Sequence, residues 1–162
     1  MSQIVVGIAD MKTGGSKDEL ITYALGSCVG ICIYDEKIKI GGLLHAMLPD
    51  AFESENTYDN NMERYVNTGI EKLVKTVCIH GADRRRLRAK IIGGANMFGF
   101  DFTNKSMDIG TQNVIQSNRI LANIGIPVVS HMTGGTVGRT IRFEIDSAKV
   151  YVSATDGSRY VI

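Results

Sequence analysis

The chain has 162 residues, 44% of them hydrophobic and 22% charged, with a formal net charge of +1. Such a balance excludes a disordered chain and leaves no whole-chain electrostatic footprint for nucleic acid or for a strongly acidic partner. The opening MSQIVVGIAD has no basic lead, no stretch reaches the ~20 apolar residues of a membrane span, and three cysteines lack regular spacing, so the expectation is one cytoplasmic domain over residues 1–162 with reduced thiols.

Strand signals come first along the chain. Gln3 to Ala9, Leu20 to Leu25, Val29 to Asp35 and Lys39 to Leu48 are short apolar or β-branched runs bounded by Gly, Asp, Lys or Pro. The polar centre of YDEKIKI (Tyr34 to Ile40) predicts a hairpin, which makes the last two runs antiparallel neighbours. From Tyr58 to about His80, apolar residues at Met62, Tyr65, Val66, Ile70, Leu73, Val74, Val77 and Cys78 follow a helical rhythm, with Asn60 and Glu63 as a capping pair and Gly81 as the stop. A strand follows at LRAKIIGG. A second helix is predicted from about Gly110 to Ile124, with Val114, Ile115, Leu121 and Ile124 facing inward and Gly125 and Pro127 closing it. IPVVSHM, RTIRFEI, VYVSA and RYVI then read as strands. The fold class is α+β or layered α/β, with mixed, largely antiparallel sheets flanked by helices.

Three features of this pattern bear on chemistry. Cys28 follows the Gly26-Ser27 turn at the start of a buried strand, where the Ser27 and Cys28 N–H groups could form an oxyanion-type pair; the alternative is a small core hydrophobe. His45 lies inside the otherwise apolar GGLLHAMLPD. A turn centred on Glu36 and Lys37 would set His45 directly opposite Cys28, where imidazolium and thiolate would lower the cysteine pKa and supply a nucleophile with a proton carrier. The alternative is a structural histidine.

Other motifs carry less. Cys28 and Cys32 (C-x3-C) and Cys78 with His80 (C-x-H) are weak metal spacings, and Cys32 and Cys78 read better as core, so no metal or cofactor is expected. GADRRRLRAK holds five basic residues in ten but no interleaved aromatics, which favours a solvated loop and strand edge over nucleic acid and leaves a docking patch for an acidic surface open. The Gly pairs in IIGGANMFGF and TGGTVGRT match no nucleotide fingerprint.

Taken in order, Thr22 with LGSC (Leu25 to Cys28), GLLHAMLPD, RLRAKIIGGANMF, IGTQN and TGGTVGR resemble the chemoreceptor glutamine deamidases of the CheD family over most of the chain. The resemblance implies a layered fold similar to that of bacterial deamidating toxins, and a cysteine hydrolase that converts glutamines of methyl-accepting chemotaxis receptors to glutamate. It implies Cys28 as nucleophile, His45 as acid/base and Thr22 as the group that orients His45; Ser27 and Gly26, from the turn itself, are expected to support the oxyanion. Receptor methyl-ester hydrolysis would use the same acyl-thioester chemistry. The implied partners are the receptors' cytoplasmic helical domain and, in some members, the CheY-phosphate phosphatase CheC; a monomer is expected for the chain itself. Gln112 and Met132 depart from residues common in the family and bear on partner contacts rather than on the triad. A rival expectation is a non-catalytic adaptor that regulates a CheC-type phosphatase.

Overall fold

The computed structural model describes residues 1–52, 60–97 and 108–162. Among these, ten strands form two five-stranded mixed sheets and two α-helices cover one of them. The first sheet has the order β1 (Ser2–Val5), β3 (Asp18–Leu25), β8 (Arg139–Glu144), β9 (Lys149–Ala154), β10 (Arg159–Val161). The second has the order β2 (Asp10–Gly14), β5 (Ile40–Ala46), β4 (Val29–Asp35), β6 (Arg88–Gly93), β7 (Val128–Thr133). Only the β1–β3 and β6–β7 pairs are parallel.

β4 is central in the second sheet and buried at every residue, which is why its sequence is an unbroken apolar run rather than an alternating one. Its odd-numbered residues Val29, Ile31 and Ile33 pack with α1 (Val66–Ile79) and α2 (Ile109–Asn123), through Val66, Ile70, Leu73 and Leu121. Its even-numbered residues face the first sheet, where Cys32 and Tyr34 join Leu20, Leu25, Leu43, Ile141 and Phe143. The layers are therefore sheet, sheet, helices, with one apolar core in each gap.

Most expected strands are present, with three differences. β2 went unread because Asp10, Lys12 and Gly14 break any apolar alternation; it is an edge strand held by pairing with β5. The first helix begins at Val66, preceded by a single 3-10 turn over Met62–Arg64, so Asn60 and Glu63 do not form the expected capping pair, and the expected start at Tyr58 lies outside the described residues. Gly81 does end it, at φ +113, with Ala82 N–H donating to Val77 O. In α2, Leu121 is buried and Val114 and Ile124 pack against the helical core as expected, but Ile115 is 55% exposed; the buried stripe is Gly110, Asn113, Gln116, Ser117 and Leu121. A polar stripe is invisible to a hydrophobic period.

The hairpin register also differs. The β4–β5 ladder closes at Asp35 opposite Ile40, leaving a four-residue turn in which Lys39 takes φ +57. His45 therefore pairs with Gly30 rather than with Cys28. The slip is two residues, and side chains alternate with a period of two, so the face is unchanged. Cys28 packs against the same inter-sheet cluster as Cys32 and Leu43.

The basic run has structural duties. Arg86 donates through Nε and Nη2 to Asp35, whose carboxylate is buried at the end of β4, and Asp83 caps the 84–86 turn through Arg85 N–H. These contacts fasten the segment after α1 to the second sheet.

Candidate active site

The site lies between the two sheets. Thr22 comes from β3 of the first sheet and His45 from β5 of the second, both fully buried, and Thr22 Oγ1 is 2.7 Å from His45 Nδ1. A local irregularity in β3 helps place Thr22. The β3–β8 register shifts between Thr22 and Leu25, and Ala24 sits at φ +58, so the extra residue turns Ala24 out and Leu25 into the core.

The hydrogen bonds of Thr22 fix the tautomer of His45. A threonine hydroxyl has one proton to donate, and Thr22 Oγ1 gives it to the Val6 carbonyl at 2.7 Å. Its contact with His45 must therefore be accepted from Nδ1–H. The proton of a neutral ring is thus on Nδ1, and Nε2, which is buried and has no hydrogen-bond partner among the described residues, keeps its lone pair. That is the form a general base needs.

Cys28 is half-buried at the start of β4. Three consecutive carbonyls around it are each taken by the protein. Gly26 O accepts from Ala95 N–H at 2.8 Å, Ser27 O from Asn113 Nδ2 at 2.9 Å, and Cys28 O from Gly94 N–H at 2.9 Å. By contrast, the Ser27 and Cys28 N–H groups make no backbone hydrogen bond among the described residues. Close approach of the chain explains the glycines here. A Cβ on Gly93 would lie 2.4 Å from Cys28 O, and one on Gly94 2.3 Å from Val114 of α2. The later glycine motif is laced to the same turn, through Gly134 N–H to Gly93 O and Asn96 N–H to Gly135 O. Gly26 is overlaid by Met97, whose Cγ would be 2.8 Å from a Cβ there.

The structure thus joins Thr22 to His45, and brings Cys28 to the same inter-sheet face without a hydrogen bond between its sulfur and Nε2. It corrects the expected ion pair. Burial pushes the Cys28 thiol up, with its own backbone N–H pulling the other way, and burial pushes the imidazole of His45 down to about 4 despite the Asp10 carboxylate opposite it on β2. Both groups are neutral at neutral pH. Cys32 is fully buried in the inter-sheet core and Cys78 packs on α1 against the helical core, as expected. Met132 also packs on the inter-sheet core, and Gln112 is half-buried on α2.

A base must be neutral, and a ring with a pKa of about 4 stays so as the pH falls until it approaches that value. At pH 5, kcat/KM is expected to hold about nine-tenths of its value at pH 7, where an unperturbed imidazole would leave only a few per cent. Thiolate absorbance assigned by difference against Cys28→Ala should appear only at a pH above that at which an ordinary cysteine ionises, because burial pushes this thiol up. A thiolate already present at pH 6 would contradict the neutral pair.

Asn113 was not singled out from the sequence. It is fully buried on α2, and its Nδ2 donates to both Ser27 O and Met47 O at 2.9 Å. The only signal was its place at the end of IGTQN.

Comparisons with known proteins come from three directions. A family model described as CheD chemotactic sensory transduction matches residues 47–154, beginning just after His45. The chemoreceptor glutamine deamidase CheD of Bacillus licheniformis is 44% identical over 151 residues, covering 93% of this chain and 89% of the relative. A probable chemoreceptor glutamine deamidase CheD of Pyrococcus horikoshii is 43% identical over 150 residues, covering 93% and 91%. Among solved structures, the hypothetical protein YfiH of Bacillus licheniformis aligns at a TM-score of 0.41 and 14% identity over 71% of this chain and 46% of that one.

Proposed function

The chain belongs to the CheD family, and from that premise we propose that it deamidates glutamine side chains of methyl-accepting chemotaxis receptors. The observation that carries this reading is the Thr22–His45 hydrogen bond, which leaves a buried imidazole with Nε2 unprotonated and without a hydrogen-bond partner among the described residues. A structural histidine of that burial would ordinarily use both ring nitrogens.

In the first half-reaction His45 Nε2 takes the Cys28 thiol proton as sulfur attacks the glutamine carboxamide carbon. The tetrahedral oxyanion is held by backbone N–H groups at Ser27 and Cys28, with Gly26 shaping the turn. Collapse breaks the C–N bond, His45 returns the proton to the leaving nitrogen, and ammonia departs from a thioester. In the second half His45 takes a proton from water, the hydroxide attacks the thioester carbon, the C–S bond breaks, and His45 returns the proton to sulfur, leaving glutamate and the free thiol. Starting from a neutral pair, proton transfer accompanies attack rather than preceding it. Receptor methyl esters would enter the same thioester and release methanol.

We further propose that residues 1–162 act as one cytoplasmic domain, as a monomer, on the receptor's helical domain, with a CheC-type phosphatase as a candidate partner. The test is ammonia release from a chemoreceptor cytoplasmic fragment of the same organism. One ammonia per glutamate formed is the expected result. No ammonia from any such fragment, together with binding of a CheC-type protein, would replace deamidation by the adaptor reading.

Thr22 contributes through His45. Thr22→Val keeps the shape but removes the acceptor for Nδ1–H, so the buried ring is free to move its proton to Nε2. Turnover should fall roughly 10²-fold with KM unchanged, and Thr22→Ser should restore most of it. Equal activity in the Val and wild-type proteins, measured by ammonia release, would remove Thr22 from the mechanism.

A further inference from the structure

We infer that Asn113 is a positioning residue, which aims the Cys28 N–H at the oxyanion by gripping the other end of the same peptide group. This rests on the reading of Cys28 as an acyl acceptor. A trans peptide is planar, with its C=O and N–H antiparallel. The Ser27 carbonyl and the Cys28 N–H are the two ends of one such plane. Asn113 Nδ2 holds the carbonyl end at 2.9 Å, so the N–H end points away from α2. The Gly26–Ser27 plane is held in the same manner by Ala95 N–H.

The amide orientation of Asn113 is forced. Its two Nδ2 protons meet two carbonyls, Ser27 O and Met47 O, and a flipped amide would set Oδ1 against both. Met47 lies two residues beyond His45, so one side chain ties the nucleophile turn to the strand of the base. The price is a buried Oδ1 without a hydrogen-bond partner among the described residues. α2 is brought within reach by Gly110, where a Cβ would lie 2.5 Å from Ala95 O.

Two reactions of Cys28 separate aiming from mere support. Alkylation by iodoacetamide gives up the thiol proton to solvent, forms a C–S bond and expels iodide, with no oxyanion. Acylation by p-nitrophenyl acetate passes the thiol proton to His45, builds a tetrahedral oxyanion and expels p-nitrophenolate, leaving an acetyl thioester on sulfur. Asn113→Leu, which keeps a similar volume and removes both donors, should slow acylation about 10²-fold, the effect of losing one oxyanion donor. Its alkylation should stay within about threefold of wild type, because displacement of iodide by sulfur builds no carbonyl oxyanion for that N–H to hold. Ser117→Ala loses only a bond within α2, to Asn113 O, and should change neither rate.

Equal slowing of both reactions, or of neither, would overturn the inference. Should the Leu variant fail to give the wild-type circular dichroism, Asn113→Ala is read in the same two reactions with the same outcomes. A wild-type Cys28 that p-nitrophenyl acetate does not acylate would overturn it too. Acylation that depends on Asn113 in a protein that releases no ammonia from receptor fragments would leave the inference standing and overturn deamidation alone.

Discussion

Replacing His45 with glutamine is expected to slow receptor deamidation by about 10³-fold, while KM for the receptor fragment stays within about twofold. Glutamine fills a similar volume and can still donate to Thr22 Oγ1, so the contact across the two sheets survives. What is lost is a base whose second nitrogen carries a lone pair. Both half-reactions need that nitrogen, first to take the thiol proton and then to activate water, so no single step can hide the defect. Circular dichroism and melting temperature measured beside the kinetics separate catalysis from folding. A loss smaller than tenfold in a folded variant would make His45 structural.

The sign of the ionisation is tied to the same residue. His45 is fully buried, and the carboxylate nearest it in the ladder, Asp10, is itself occupied by Gly7 N–H, Met11 N–H and Lys12 Nζ. Its pull on the ring is therefore the lesser effect, and desolvation prevails. The wrong expectation of a preformed thiolate came from adjacency alone. Adjacency cannot be converted to a pKa without burial, and burial is a property of the assembled sheets.

Much of the frame is readable in the residues themselves. The unbroken apolar run from Val29 to Asp35 identifies a strand covered on both faces, and Gly125 with Pro127 marks the end of α2 within a residue. Cys28 and His45 stand out because each breaks the pattern of its own strand. Three things were not readable. The charged edge strand β2 carries no apolar alternation; the turn length that sets the register depends on Lys39 entering a left-handed conformation; and Asn113 acts on a carbonyl 86 residues away. Each depends on contacts between segments distant in the chain. Thr22 illustrates the division well. Only resemblance named it, and only the Val6 carbonyl, supplied by the segment after β1, explains why its hydroxyl accepts from His45.

Cys28 carries the central claim, because every covalent step passes through its sulfur. Peptide mass analysis of a chemoreceptor cytoplasmic fragment, incubated with the wild type and in parallel with Cys28→Ala, tests it most directly. Deamidation adds roughly 1 Da per glutamine, and removing the nucleophile should reduce the rate by at least about 10⁴-fold, to the background of water. The expected result is a shift at discrete glutamines with the wild type and none with Cys28→Ala. An equal shift with both proteins would contradict thioester chemistry at Cys28, and no shift with either would contradict deamidation.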